Sequence, residues 1–127
     1  MNSALKKLRR PFRKYFGVTF KRERWSETNF SEIDLDEKVI HYSMCFDDDE
    51  AFVAISFHEI GHLLATRSKT SRTYEEYCWK IGFALMEGMF NIKKTPAMDA
   101  LAKRCLRTYS RAGYAEKLVR EYEQKQH

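Results

Sequence analysis

Residues 46–62 read Phe46-Asp47-Asp48-Asp49-Glu50-Ala51-Phe52-Val53-Ala54-Ile55-Ser56-Phe57-His58-Glu59-Ile60-Gly61-His62. The acidic run at 47–50 suits a helix N-terminus, where carboxylates cap free amides and meet the positive end of the helix dipole. Ala51, Phe52, Ala54, Ile55, His58, His62 and Ala65 then recur at steps of three and four, which predicts a buried helical stripe carrying both histidines. On a helix, positions i and i+4 share a face, so His58 and His62 can aim two imidazoles at one ion. Glu59 stands one residue on, placed to take a proton from a water that the ion activates. A chance match to HExxH in so short a chain is roughly a sub-one-per-cent event. Gly61 costs about 1 kcal/mol relative to Ala in a helix interior. Such a residue usually marks the close approach of another backbone. A plain core helix with two hydrogen-bonded histidines is the alternative; two His flanking a Glu at this spacing favour metal, with Zn²⁺ as the expected cofactor.

Outward from this helix, the 127 residues form a single domain, 43% hydrophobic and 14% aromatic, which excludes a disordered chain. The absence of a long apolar run excludes a transmembrane helix and a secretory core. Cys45, Cys78 and Cys105 are odd in number and far apart, and read as reduced thiols of a cytoplasmic protein. Residues 1–24 carry nine Lys/Arg against one acid, Glu23, so the net charge of +5 divides into +8 here and −3 elsewhere. Residues 1–16 are expected to form a basic amphipathic segment interrupted by Pro11, and residues 17–127 the remaining domain. That segment is either a docking helix with a solvated cationic face or a contact for an acidic partner, a nucleic acid or a membrane surface. An organellar transit peptide shares its composition.

Val18–Arg22 alternates and reads as a strand. Ser31–Ser43 reads as two strands across a tight turn at Asp36-Glu37-Lys38. With the preceding strand they make a small three-stranded meander. The metal helix is expected over about Asp49–Thr66, a polar loop over Ser68–Thr73, and a second helix over about Tyr74–Phe90. A third, capped by Thr95 with Pro96 in its first turn, runs to about Ser110. Gly113 breaks it, and Tyr114–Gln124 forms a last helix. The class is α+β: a three-stranded sheet packed on the HExxH helix, followed by a helical C-terminal half.

A catalytic zinc usually takes three protein ligands. The candidates for the third are Glu75, Glu76, Glu87 and His41. Glu75 shares a helical face with Cys78, Gly82, Leu85 and Met89, small or apolar residues. Glu76 shares one with Lys80, Phe83 and Glu87. Glu75 is therefore expected to look inward, its carboxylate needing a partner there, and Cys78 and Gly82 to let the second helix approach near Gly61. Its other use is to stabilise the first turn of its own helix.

His58-Glu59-Ile60-Gly61-His62 followed by a helix with Glu-x-x-small-x-x-apolar-small (Glu75, Cys78, Ile81, Gly82) resembles the ImmA/IrrE-like small zinc metallopeptidases, a gluzincin-type group with phage- and plasmid-associated members. The resemblance covers Ser31 to about Met89. Cys78-Trp79 replaces the family's Ala-Asn, its Leu-Met-Pro ending is absent, and the loop between the motifs is short. The resemblance implies a three-stranded sheet over the active-site helix, Zn²⁺ on His58, His62 and Glu75, and Glu59 as general base. It implies peptide-bond hydrolysis in a protein or peptide substrate, by an endopeptidase rather than an exopeptidase, with a transcriptional repressor as the first candidate substrate. Oxyanion donors could be Tyr74, Tyr109, Tyr114 or His41, and Val39–Ser43 is read as an edge strand able to hold a peptide by strand addition. Two other classes are a catalytically inactive metal-binding interaction module recruited through the basic N-terminus, and a structural zinc domain, in which Glu59 would be superfluous.

Overall fold

The computed structural model describes residues 3–23, 31–43, 49–65 and 72–107. Their order is α1 (Ser3–Phe16), β1 (Thr19–Glu23), β2 (Ser31–Asp34), β3 (Val39–Ser43), α2 (Asp49–Leu64) and α3 (Arg72–Gly88), then α4 over residues 96–107. The class is α+β, as expected. The proposed helix at 114–124, Cys45, Tyr109 and Tyr114 lie outside the described residues.

α1 corrects the expectation at Pro11: the helix runs through it without a break. A proline inside a helix costs about 3 kcal/mol. Burial is worth about 1.5–3 kcal/mol for each large apolar side chain, and both Leu8 and Phe12 are fully buried. That is enough to carry the helix through. Ala4 and Leu5 complete the inward stripe, so α1 contributes to the single core cluster. Phe12 sits at the centre of an aromatic group with Phe16, Phe20, Phe57 and Phe90, at centroid distances of 5.0–5.8 Å. Gly17 turns the chain out of the helix at φ 67°, a conformation costly for residues with a Cβ.

The sheet has the order β1-β3-β2, with β1 parallel and β2 antiparallel to β3. It is not a meander, and Val39–Ser43 is its central strand rather than an edge. Alternation shows that a strand exists, but parallel partners need a crossover, and here the crossover contains β2. The 34–39 turn matches its expected site. Asp34 Oδ1 accepts the amides of Asp36 and Glu37, each at 3.0 Å, and Lys38 takes a left-handed φ of 56°. Phe20, Ile33, Ile40 and Tyr42 lie on the sheet face toward the core, where Phe20 and Tyr42 meet Phe52 of α2.

α2 is buried on nearly every side, not along one stripe. Phe57, Glu59, Ile60 and Gly61 are as enclosed as Phe52, Ala54 and His58, whereas Ala51, Ile55 and His62 are half-buried. The cause is that β2, α1 and α3 all pack on it. The phase expected for α3 needs a similar adjustment. Phe83 is buried and Met89 is exposed. Met98 and Ala102 of α4 join the core, and Phe83 lies against Trp79 at 5.5 Å between centroids with Lys94 Nζ 5.2 Å over its ring. Thr95 caps α4 as expected, accepting the Met98 amide at 3.2 Å. Its hydroxyl also donates to Glu50 at 3.0 Å, tying α4 to the start of α2.

Candidate metal centre

α2 and α3 come together through two glycines. A Cβ on Gly61 would lie 2.8 Å from the Cys78 carbonyl carbon, and one on Gly82 would lie 2.7 Å from that of Phe57. Backbone cannot give way as a flexible side-chain end can, so each helix offers a groove to the other's main chain. This contact sets the distance at which side chains from the two helices meet.

Between the helices, three donor atoms converge. His58 Nε2 is 2.9 Å from Glu75 Oε2, His62 Nε2 is 3.1 Å from the same oxygen, and the two imidazole nitrogens are 3.1 Å apart. The side chains are only 10–18% exposed. His58, His62 and Glu75 therefore form a group that could hold a metal ion. The donor set fits zinc: bonds of 2.0–2.1 Å in a tetrahedron separate ligand atoms by about 3.3 Å. As expected, Glu75 faces inward and Glu76 is exposed.

The electrostatics match this arrangement. Burial pushes the Glu75 carboxyl up, but hydrogen bonds from His58 and His62 outweigh it and hold the group down at about 2. Burial also lowers His58, outweighing the pull of Glu75. Near neutral pH the cluster is an ionised carboxylate with a neutral His58, the protonation states that metal binding requires.

Around the cluster, Cys78 Sγ lies 3.5 Å from His62 Nδ1 and fixes that ring's orientation. Trp79 stacks on His58 with centroids 4.1 Å apart and planes 19° from parallel. His58 Nδ1 has no hydrogen-bond partner among the described residues. The ring is positioned by stacking instead. Tyr74 lies against His62 at 5.4 Å between centroids, and burial and the neighbouring Cys78 push its hydroxyl up to about 12.

Glu59 is buried on the sheet side of α2. Burial first, then the charges of Glu75 and Glu32, hold its carboxyl well above the usual range, against a backbone hydrogen bond from Ile33 of β2. His41 lies apart from the cluster: its Nδ1 is 2.7 Å from Glu23 Oε1 across β1 and β3. Glu87 is exposed on α3.

The sequence reading missed Trp79, the Cys78–His62 contact and the Ile33 amide. Cys78 carried a signal, one turn after Glu75 on the same face. Trp79 carried none, since stacking depends on how the two helices cross. Compared with family models, with curated proteins and with solved structures, the chain matches none.

Proposed function

We propose that this protein is a zinc-dependent peptidase whose ligands are His58, His62 and Glu75 and whose general base is Glu59. The observation that carries the reading is the convergence of the three donors, with a buried carboxylate on the next residue of the same helix. The resemblance to the ImmA/IrrE-like zinc metallopeptidases supports it. Bound zinc supplies Lewis acidity that polarises a carbonyl and acidifies water, and a positive charge that favours the ionised form of Glu59. The Glu59 carboxylate takes the proton of the attacking water and delivers it to the leaving amine. Tyr74 keeps its proton far above neutral pH, and its hydroxyl, which is engaged with Cys78, is the donor proposed among the described residues for the developing oxyanion beside His62.

A protein segment is the substrate class that fits an open-edged sheet. Because β3 is central, the rail for an extended peptide is β2, whose Ile33 amide reaches Glu59. A repressor-like protein from the same genome is the first substrate to assay, and internal cleavage is the expected product pattern. The proposed setting is the cytoplasm.

One observation favours a second reading, an inactive metal-binding module. Glu59 is enclosed, and a strand amide occupies its carboxylate. The Glu59→Gln variant decides between them. Loss of the general base lowers cleavage by roughly 10²–10⁴-fold while zinc content and fold persist. Equal cleavage by the two proteins would eliminate this mechanism, and no cleavage by either would leave the module reading ahead.

A further inference from the structure

The outer face of α1 is cationic over its whole length. Lys6, Lys7, Arg9, Arg10, Arg13 and Lys14 are all exposed. They recur at steps of three and four along a helix of 14 residues, about 20 Å long. None of the ion pairs among the described residues involves them. The charge continues onto β1. Arg22 is the strand partner of Tyr42, and the charges of Arg22 and Arg9 both act on the Tyr42 phenol, against the burial that raises it. At the C-terminal end of α1, Arg10, Pro11, Arg13, Lys14 and Tyr15 line an open groove of about 580 Å³. Tyr15 is 53% exposed there, with Lys14 Nζ 5.4 Å from its ring centroid.

Two features select the occupant. A helix that lies in a lipid interface needs a free apolar face. The apolar residues Ala4, Leu5, Leu8 and Phe12 are instead consumed by the protein's own core. What remains outside is positive charge plus one exposed aromatic ring. That pairing is what single-stranded nucleic acid uses: cations track the phosphates while a base stacks on the ring. We propose that the outer face of α1, with Tyr15 as a stacking platform, binds single-stranded nucleic acid without sequence preference. This site is separate from the metal cluster and does not depend on zinc.

Fluorescence anisotropy of the full chain with a labelled oligo-dT 20-mer tests it. Sequence-independent binding is expected in the range of about 10⁻⁴–10⁻⁶ M, weakening as salt rises by about 0.7 log units per released contact for each tenfold change in salt. Arg10→Gln/Lys14→Gln should weaken binding about tenfold and flatten the salt slope by about 1.4, the share of two contacts. A charge-matched control, Lys80→Gln/Lys93→Gln, should change it less than threefold. Tyr15→Ala should weaken the single strand about tenfold, leave the salt slope unaltered, and barely affect a duplex of the same length. Zinc content and circular dichroism, unchanged in each variant, verify folding, because all the substituted side chains are exposed. Equal losses in the α1 and control variants would overturn the proposal, as would indifference of the single strand to Tyr15→Ala. Tighter, Arg10-dependent binding to phosphatidylserine vesicles or polyglutamate than to the oligonucleotide would also overturn it.

Discussion

Two histidine–glutamate contacts in this protein are alike in distance and differ in construction. On the outer sheet face, His41 Nδ1 lies 2.7 Å from Glu23 Oε1 on a neighbouring strand, and Lys21 Nζ approaches the same oxygen at 3.8 Å. Between α2 and α3, His58, His62 and Glu75 close a triangle 2.9–3.1 Å on a side. The first needs only a shared strand register. The second needs two helices brought to backbone contact, which Gly61 and Gly82 permit. The lesson is that proximity of acid and base is common, whereas convergence of three donors on one point, held by main-chain packing, is an arrangement that could hold a metal ion.

Closing the helix groove should have the largest effect. Gly61→Ala sets a methyl group against the Cys78 carbonyl, and overpacking of this kind costs about 1–3 kcal/mol or more. Thermal unfolding should show a midpoint lower by at least several degrees, together with weaker zinc binding. Gly88→Ala meets nothing within 4 Å and should leave both unchanged. Equal effects of the two substitutions would mean that the close approach is unimportant.

The next effect in size separates Glu75→Gln from Glu76→Gln. Losing a first ligand should reduce zinc affinity by at least the 10–100-fold typical of losing only a supporting contact. Glu76→Gln should leave affinity within a factor of about two. A competitive chelator titration reads both, and the reverse ranking would place the helical phase of α3 in error. The smallest effect belongs to His41 and Glu23. His41→Ala should change stability by no more than about 1 kcal/mol, the worth of a partly exposed polar contact, and should not alter zinc content. A loss of zinc there would move the site onto the sheet.

Local signals made much of this legible in the sequence. The start of α2, the Asp34 turn, the Thr95 cap and the inward Glu75 follow from capping chemistry and helical phase, which neighbours in the chain determine. Strand order did not follow: alternation at Val18–Arg22 and Val39–Ser43 is the same whether the pair is parallel or antiparallel. The unbroken α1 was hidden as well, because Pro11 signals a break locally while Leu8 and Phe12 outweigh it through tertiary burial. Phe83 read as outward because its cover includes Lys94, which a later segment brings over the ring. Trp79 on His58 depends on the crossing of two helices, which no spacing encodes.

Elemental analysis of the purified chain reads whether α2 and α3 together hold one zinc ion. About one zinc per wild-type chain, falling close to zero in His62→Ala while circular dichroism shows the helices retained, is the predicted result. Unchanged zinc content in the His62→Ala protein, or a folded wild type that takes up none when zinc is supplied, would contradict it.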